Sequence, residues 1–333
     1  MKVLVVSHGE VRQHLPMIDC MKAMESALML LDREEAFNPL RNVIWLPDKS
    51  GLTVLMPSSL SEPPVMGVKA ISVFPGNSAT EYDSHQGVVM LFEARNGRLL
   101  ALIDATEVTA IRTAAVSGVA TRLLAREDAG DLAILGAGTQ ARKHIEAMQA
   151  ARNIRRVRVW SRNYDKTIEF AESVSNSHGL PIEAQASARD AVVGADLICT
   201  TTAAVEPVLE ADWEAPGAPI NAVGACTPAA RELDAATVIK SRLYVDSRES
   251  AINEAGDFVI PKQKGLIDDS HIIGEIGELL NKKQSGRSAA EDITLFKSLG
   301  LAVEDLAAAN LLYRKLESDE GATWVELNAK RND

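Results

Sequence analysis

Cysteine is scarce in this chain of 333 residues, which contains three: Cys20, Cys199 and Cys226. They are widely spaced, form no CxxC pair, and have no histidine at a metal-ligand spacing. The sequence therefore indicates neither a disulfide framework nor a zinc site. A chain of this kind is typical of a reducing compartment, and we expect a cytoplasmic protein.

The chain also lacks an excess of basic residues and any long hydrophobic run. The 35 Lys and Arg residues face 46 Asp and Glu residues, a net charge of −11 that repels a phosphate backbone and argues against nucleic-acid binding. No uninterrupted apolar run approaches the roughly 18 residues of a membrane helix. The opening MKVLVV meets Ser7 and His8 too early for a secretory signal. We therefore expect a soluble protein with no membrane partner.

In the first third of the chain, the predicted secondary structure changes from helical to β-rich. Apolar residues recur with helical spacing between Pro16 and Ala36, which predicts an amphipathic helix. From Asn42 to Leu102, short β-rich runs alternate with Pro, Gly and Asn turn signals and predict a mostly antiparallel sheet. Asn96-Gly97 between two apolar runs predicts a hairpin.

After Asp131 strands and helices alternate, which is typical of βαβ units on a parallel sheet with helices on both faces. Ser298–Glu317 reads as a final helix. The predicted fold class is α/β, with a Rossmann-type doubly wound domain at residues 119–303. This domain is inserted into an α+β domain of residues 1–118 and 304–333, whose sheet is mostly antiparallel.

A glycine-rich turn follows the first strand of the second domain. Its sequence, Gly136-Ala137-Gly138-Thr139-Gln140-Ala141, has the G-x-G-x-x-A form of a dinucleotide fingerprint. Gly136 allows the tight turn, Gly138 lets backbone N–H groups approach a pyrophosphate, and Ala141 permits close packing of helix on strand. Such a turn can be purely structural, but the surrounding βα units favour dinucleotide binding.

The second strand of that domain ends without an acidic residue. An NAD site usually has Asp or Glu there to accept hydrogen bonds from the ribose hydroxyls. This chain has Ser161-Arg162-Asn163, a hydroxyl and a guanidinium suited to a 2′-phosphate. NADP(H) is therefore favoured, NAD(H) stays possible, and Arg162 as an ordinary solvated residue is the alternative.

Several motifs together resemble the ornithine cyclodeaminase/μ-crystallin family over nearly the whole length. They are Leu55-Met56-Pro57, Gly67-Val68-Lys69, Leu102-Ile103-Asp104 with Ile111-Arg112-Thr113-Ala114-Ala115, the glycine turn, Ile220 to Ala225 with Arg231-Glu232-Leu233-Asp234, Tyr244 to Ser247, and Leu295 to Gly300 with Glu304-Asp305. The motifs are most similar to those of the μ-crystallin-like ketimine reductases. The resemblance implies a homodimer joined through the first domain's sheet, with the active site in the cleft between the domains.

The resemblance also implies a basic substrate pocket of Arg41, Lys69 and Arg112, which would hold the carboxylate of an α-imino or α-amino acid. Arginine forks suit that task because they grip carboxylates bidentately. Lys69 or a bound water would supply the proton. The alternatives are an exposed Arg41 and a structural ion pair for Lys69. Arg112 starts a small, apolar helical run in which a solitary cation needs a partner.

The cofactor residues implied by the resemblance follow the strand ends. Thr113 matches a position that meets cofactor phosphate, and Ser298 and Leu299 match the segment beside the nicotinamide. The remaining predicted contacts are Gly136, Gly138, Thr139, Gln140, Ser161, Arg162, Asn163, Thr200, Thr201, Ala222, Val223 and Gly224.

Two positions depart from the cyclodeaminases. Those enzymes carry an Asp after the Asn-Ala-Val-Gly segment and a Glu just before Met-Pro, where this chain has Cys226 and Val54. Cyclisation of ornithine with loss of ammonia requires proton transfers to and from the substrate's two amines. Because the two carboxylates that would serve these transfers are absent, we do not expect that activity. Since no adjacent histidine suggests a thiolate relay, a pocket-lining role for Cys226 is preferred to a reactive one.

These features predict an enzyme that uses NADPH to reduce a small α-imino (ketimine) carboxylate to the amino acid, or runs the reverse dehydrogenation. Its partners would be small imino, amino or keto acids. The same-class alternative is an NAD-linked alanine dehydrogenase or iminosuccinate reductase. The different-class alternative is a non-catalytic, NADP-regulated binding protein for a small ligand. The substrate's side chain stays open, because no motif fixes the loop from Phe74 to Gln86.

Overall fold

The structure, a computed structural model, describes residues 2–327, apart from the side chains of Ser78 and Ala79. It divides into two compact units. Unit 1 consists of the residues up to Arg112 and those from Leu301 onward, and unit 2 is Thr113–Gly300. The boundaries predicted after residues 118 and 303 lie six and three residues further along the chain. The first junction falls inside one continuous helix, Ala105–Leu124, so periodicity alone could not reveal it.

The strands, in chain order, are β1 (Lys2–Val6), β2 (Ala36–Phe37), β3 (Asn42–Trp45), β4 (Leu52–Leu60), β5 (Val65–Val73), β6 (His85–Glu93), β7 (Leu99–Asp104), β8 (Asp131–Leu135), β9 (Arg156–Trp160), β10 (Ile182–Ala184), β11 (Leu197–Thr200), β12 (Pro219–Ala222), β13 (Arg242–Val245), β14 (Ile272–Glu275), β15 (Thr294–Lys297) and β16 (Thr323–Glu326).

The helices are α1 (His8–His14), α2 (Met17–Asp32), α3 (Ala105–Leu124), α4 (Thr139–Ala151), α5 (Tyr164–His178), α6 (Ala188–Val192), α7 (Ala235–Lys240), α8 (Arg248–Glu254), α9 (Gly256–Gln263), α10 (Ile276–Leu280) and α11 (Ala302–Leu316). Short 3₁₀ helices span Pro75–Ala79, Ala211–Trp213 and Asp269–His271. None of the helices between residues 2 and 327 is long and apolar enough to cross a membrane.

The sheet of unit 1 has the order β16-β1-β7-β6-β5-β4-β2, with β3 also paired to β4. Its neighbours are antiparallel except for β1 and β7, which confirms the mostly antiparallel sheet. The predicted hairpin is confirmed between β6 and β7, where Gly97 has a φ of 74° and the Arg98 N–H donates to Asn96 Oδ1 at 2.9 Å. The predicted first helix is α2, with its apolar face buried.

Strands β1 and β16 were not predicted from the sequence. They pair antiparallel, with Lys2 opposite Glu326 and Val5 opposite Thr323. The segment of β16 is short and largely exposed, so its strand conformation depends on a partner from the other end of the chain. No local pattern carries that information.

Unit 2 contains a parallel sheet in the order β10-β9-β8-β11-β12-β15-β13-β14. Its first strand, β8, has β9 and β10 on one side and β11 and β12 on the other, which is the Rossmann arrangement and confirms the predicted fold class. The core is formed by aliphatic side chains of β8, β11, β12 and β15 and the helices that cover them.

The last long helix was predicted from Ser298, but α11 begins at Ala302. Gly300 has a φ of 76°, which no helix accommodates. The backbone N–H groups of Leu299 and Gly300 donate to Asp246 Oδ2 at 2.6 and 2.8 Å. The segment 298–300 is therefore a loop held at the end of β15.

Candidate functional site

A buried cluster of charges in unit 1 contains two of the three predicted basic residues. Lys69 lies on the central strand β5 and is 3% exposed. Its Nζ is 2.7 Å from Asp305 Oδ2 and 3.4 Å from Thr109 Oγ1. Asp305 belongs to the first turn of α11, which packs against β4 and β5. Strand and helix together place a lysine and a carboxylate in the interior.

Arg112, the last residue of α3 within unit 1, binds the same helix turn. Its Nε donates to Asp305 Oδ1 at 2.8 Å, and its Nη1 donates to Glu304 Oε2 at 2.7 Å. The solitary cation expected from the sequence therefore has two protein carboxylates as partners. Two of its three guanidinium nitrogens thus serve internal ion pairs, and the predicted contact of Arg112 with a substrate carboxylate stays a prediction.

Burial and neighbouring charges set the protonation of this cluster. Burial is the main cause that lowers the pKa of Lys69 to about 8; the Asp305 carboxylate opposes it, and the positive charges of Arg112 and Arg41 add to it. Burial also works against the Arg112 guanidinium, but Asp305 and Glu304 outweigh it and raise the pKa of Arg112. Arg41 is half-buried, and its positive charge is the smallest of the causes that lower the pKa of Lys69.

Three residues of this cluster were not predicted from the sequence as site residues. Glu304 and Asp305 served there as a family match without a role, although two adjacent acids opening an apolar helix give the same signal as the lone arginine. His85 begins β6, with its backbone opposite Val73, on the sheet face that carries Lys69. Burial and the charge of Lys69 lower the pKa of His85, while Asp83 opposes them.

In unit 2 the glycine turn has the geometry of a dinucleotide loop. Gly136 has a φ of 118°, and a Cβ there would lie 2.7 Å from Thr201 Oγ1, so no other residue fits. Gly138 caps α4 and has nothing within 4 Å of its Cβ position, which leaves open space at the helix N-terminus. The first turn of α4 carries no acidic side chain, and Ala141 is fully buried. These residues fit a pyrophosphate.

The three predicted residues of the loop after β9 differ in their surroundings. The Ser161 hydroxyl shares a hydrogen bond of 2.7 Å with Thr167 Oγ1, and the Asn163 side chain accepts from the Lys166 N–H at 3.0 Å and caps α5. Both therefore shape the loop itself. Arg162 is exposed.

The remaining predicted cofactor residues meet at one edge of the parallel sheet. Val223 N–H donates to Thr200 O at 3.0 Å, and Ser298 N–H donates to Ala222 O at 3.0 Å, so the ends of β11, β12 and β15 are linked. The Thr201 hydroxyl donates to Leu135 O at 3.1 Å. The predicted residues therefore lie at, or directly after, the carboxyl ends of neighbouring strands, where α/β sheets bind ligands. They are Thr200, Thr201, Ala222, Val223, Gly224, Ser298 and Leu299.

Two predicted residues lie apart from these hydrogen bonds. Thr113 is 7% exposed on α3. Cys226 is half-buried and its Sγ donates to Val223 O at 3.4 Å. Behind the same edge are three buried charges that the sequence analysis gave no role, Glu232, Asp257 and Lys297.

The chain is similar to known proteins over nearly its whole length. The model of the ornithine cyclodeaminase/mu-crystallin family matches residues 1–320. A ketimine reductase mu-crystallin of Mus musculus is 40% identical over 275 residues, covering 83% of this chain and 84% of that protein. A Delta(1)-pyrroline-2-carboxylate reductase of Bacillus cereus is 35% identical over 314 residues, covering 94% and 96%.

Among solved structures, the Delta(1)-pyrroline-2-carboxylate reductase of Thermococcus litoralis, in complex with NADH and L-proline, superimposes with a TM-score of 0.93. It is 38% identical in sequence, and the match covers 96% of this chain and 99% of that one.

Proposed function

Because the chain belongs to the ornithine cyclodeaminase/mu-crystallin family, we propose that it is a nicotinamide-dependent reductase of cyclic imino acids. The first substrate that we propose is Δ1-pyrroline-2-carboxylate, which would be reduced to proline. The observation that carries the proposal is the buried group of Lys69, Asp305 and Arg112, because it holds a lysine with a pKa of about 8 beside a guanidinium. The activities of the similar proteins support the same chemistry.

The residues of unit 1 bind and protonate the imino acid in this proposal. Arg41 and the remaining nitrogen of Arg112, Nη2, hold the substrate carboxylate. Lys69 is protonated at neutral pH and gives a proton to the substrate nitrogen, directly or through a water. Asp305 keeps the ammonium oriented and charged. A hydride adds to the imine carbon as the proton adds to nitrogen, which yields the amine and balances the reaction.

The residues of unit 2 bind the dinucleotide, which supplies the hydride when bound. Gly136 and Gly138 leave space for its pyrophosphate at the N-terminus of α4. NADPH is the preferred form in this proposal, because β9 is followed by Arg162 and no acid. The T. litoralis relative holds NADH, so the two cofactors are to be compared directly.

Ornithine cyclodeaminase activity is not part of the proposal. Val54 lies in the buried apolar cluster with Met56 and Ala302, and Cys226 provides a thiol where that activity needs a carboxylate. An alkyl side chain and a thiol do not replace the two carboxylates, which would take a proton from the attacking distal amine and assist protonation of the departing one.

The proposal includes a homodimer formed through unit 1. Strand β3 exposes Val43, Ile44 and Trp45, and Phe37 of β2 is 66% exposed. Apolar residues grouped in this way on one sheet are typical of an interface. Sedimentation velocity is the test: we expect a dimer that Ile44→Glu converts to a monomer, whereas a monomeric parent protein would contradict this part.

The catalytic test is oxidation of NADPH and NADH with a panel of imines. The panel holds Δ1-pyrroline-2-carboxylate, its six-membered homologue, iminosuccinate, and pyruvate with ammonia. We expect the cyclic ketimines to have the highest kcat/KM. Faster turnover of pyruvate with ammonia or of iminosuccinate would favour a dehydrogenase for linear substrates. Tight NADPH binding without turnover would favour a binding protein, and ammonia release from L-ornithine would overturn the proposal.

A further inference from the structure

Glu232 in unit 2 is fully buried and receives four hydrogen bonds on its two carboxylate oxygens. Oε1 accepts from the Thr202 N–H at 2.6 Å and the Thr202 hydroxyl at 2.8 Å. Oε2 accepts from the Thr200 hydroxyl at 2.8 Å and the Gly224 N–H at 2.6 Å. The donors lie at the end of β11 and in the segments that follow β11 and its neighbour β12. One carboxylate thus joins both strand ends.

The two joined segments touch each other at Gly224. A Cβ at this position would lie 2.0 Å from Thr202 O and 2.6 Å from Glu232 Oε1. Glycine is therefore required for the close approach, and the Glu232 carboxylate satisfies the backbone N–H groups that the approach buries. An apolar side chain in its place would leave those donors unsatisfied.

Asp257 and Lys297 extend the connection to a third strand. Asp257 Oδ1 accepts from the backbone N–H groups of Glu232 and Leu233 at 2.8 and 3.0 Å. Its Oδ2 lies 3.0 Å from Nζ of Lys297, the last residue of β15, and both side chains are buried. The charged chain Glu232–Asp257–Lys297 thus links the carboxyl ends of β11, β12 and β15, which are consecutive in the sheet.

We infer that Glu232 is a positioning residue that fixes the strand ends on which the second half of the dinucleotide lies. In Rossmann sheets the dinucleotide crosses the point where strand order reverses, which here lies between β8 and β11. The segments held by Glu232 are on the far side of that point from β9. Glu232 acts through them and contacts neither cofactor nor substrate. The inference rests on the proposed function, since it presupposes that a dinucleotide binds.

The experiment compares Glu232→Gln with Glu214→Gln. Glutamine keeps one acceptor oxygen and replaces the other with an NH2 group. Either the Thr202 N–H or the Gly224 N–H then faces a donor instead of an acceptor, and the backbone segment that carries this N–H is released. Glu214 is the matched control: it is also a buried glutamate of unit 2, but it binds Thr237 Oγ1 at 2.6 Å and Lys240 at 3.0 Å, both on α7.

Three readouts separate positioning from general stability. Amide hydrogen exchange of the free protein reports on Thr202 and Gly224, fluorescence titration gives the cofactor Kd, and steady-state kinetics separates kcat from the imine KM. For Glu232→Gln we expect faster exchange at whichever of the two amides faces the glutamine NH2 group, a cofactor Kd raised about tenfold or more, a lower kcat and an imine KM within about twofold of the parent. Glu214→Gln should lower Tm and leave exchange at these amides and the cofactor Kd unchanged.

Thr200→Val is the second variant, used if Glu232→Gln does not fold, because it removes one donor to Glu232 and keeps the side chain's shape. We expect a rise in cofactor Kd of a few-fold. The inference would be overturned if the parent protein binds NADPH or NADH and a folded Glu232→Gln or Thr200→Val variant has unchanged cofactor Kd and kcat. That result would leave the proposed function standing. A parent protein that binds neither dinucleotide would overturn both.

Discussion

The ammonium of Lys69 and the carboxylate of Asp305 lie 2.7 Å apart with both side chains almost wholly buried. Burial disfavours the charged lysine, and the carboxylate restores part of what burial removes. The resulting pKa of about 8 leaves the lysine protonated at neutral pH yet able to lose its proton within an accessible range. A proton donor with these properties makes its reaction depend on pH in a defined direction.

We expect kcat/KM for imine reduction to fall as the pH rises through about 8, because the proton donor is then lost. Oxidation of the amino acid, which needs the neutral lysine as a base, should rise through the same range. Initial rates in both directions across pH 6–10 test this. In Lys69→Arg the guanidinium stays charged over that whole range, so an alkaline fall that persists unchanged in this variant would show that another group titrates.

Asp305→Asn should move the alkaline fall of imine reduction to a lower pH, because the pKa of Lys69 drops further without the neighbouring carboxylate. Glu304→Gln is the matched control, since Glu304 pairs with the guanidinium of Arg112 at 2.7 Å. Each variant should lose about 3–5 kcal/mol of stability, as expected when one partner of a buried ion pair is removed. Identical pH profiles in the two variants would contradict the assignment.

Arg112→Lys should raise KM for the imino acid and lower kcat together, because the charge is kept while the planar fork that holds the carboxylate is lost. Arg112→Ala should be more severe, and it also leaves two buried carboxylates without their cation. The cofactor Kd should change little in Arg112→Lys. Near-normal kcat/KM in a folded Arg112→Ala would mean that the carboxylate is held elsewhere.

Arg162→Ala should weaken NADPH binding about ten- to a hundredfold and leave NADH binding nearly unchanged, since a charge-assisted hydrogen bond contributes about 1.5–3 kcal/mol. Fluorescence titration with both cofactors measures the effect. Arg189→Ala, which removes another exposed arginine of unit 2, is the control. Equal kcat/KM for NADPH and NADH in the parent protein would contradict the preference itself.

Gly136→Ala should abolish dinucleotide binding, because the added methyl meets Thr201 and the φ of 118° disfavours any side chain. Gly179→Ala is the control, since Gly179 also has a positive φ but nothing lies within 4 Å of its Cβ position. It should cost about 1 kcal/mol of stability and leave cofactor binding intact. Normal cofactor Kd in Gly136→Ala would argue against a role for this turn.

The elements that the sequence predicted well are those with a local cause. The glycine turn, the Asn96-Gly97 hairpin and the alternating strands and helices of unit 2 each depend on a few consecutive residues. The misses depend on distant partners. Strand β16 forms against β1, and the loop before α11 is held by Asp246, neither of which is visible from its own segment.

The candidate site shows the same division. The residue types in the basic group followed from the sequence, as did the need of Arg112 for a partner. That its partners are Glu304 and Asp305 required the packing of α11 on the sheet of unit 1. Glu232 likewise lay inside a recognised motif, but its function follows from four donors spread over 25 residues of chain, from Thr200 to Gly224.

The placement of unit 2 between Arg112 and Leu301 has a consequence for synthesis on the ribosome. Arg112 and Asp305 are 193 residues apart in sequence, so at about 5–20 residues per second Arg112 emerges roughly 10–40 s before its partner. During that interval the nascent β-sheet of unit 1 has Lys69 and Arg112 but neither Glu304 nor Asp305 to neutralise them. Completion of this sheet around its buried cations must therefore wait for α11, and a chain that stalls within unit 2 exposes an unfinished N-terminal half to chaperones and proteases.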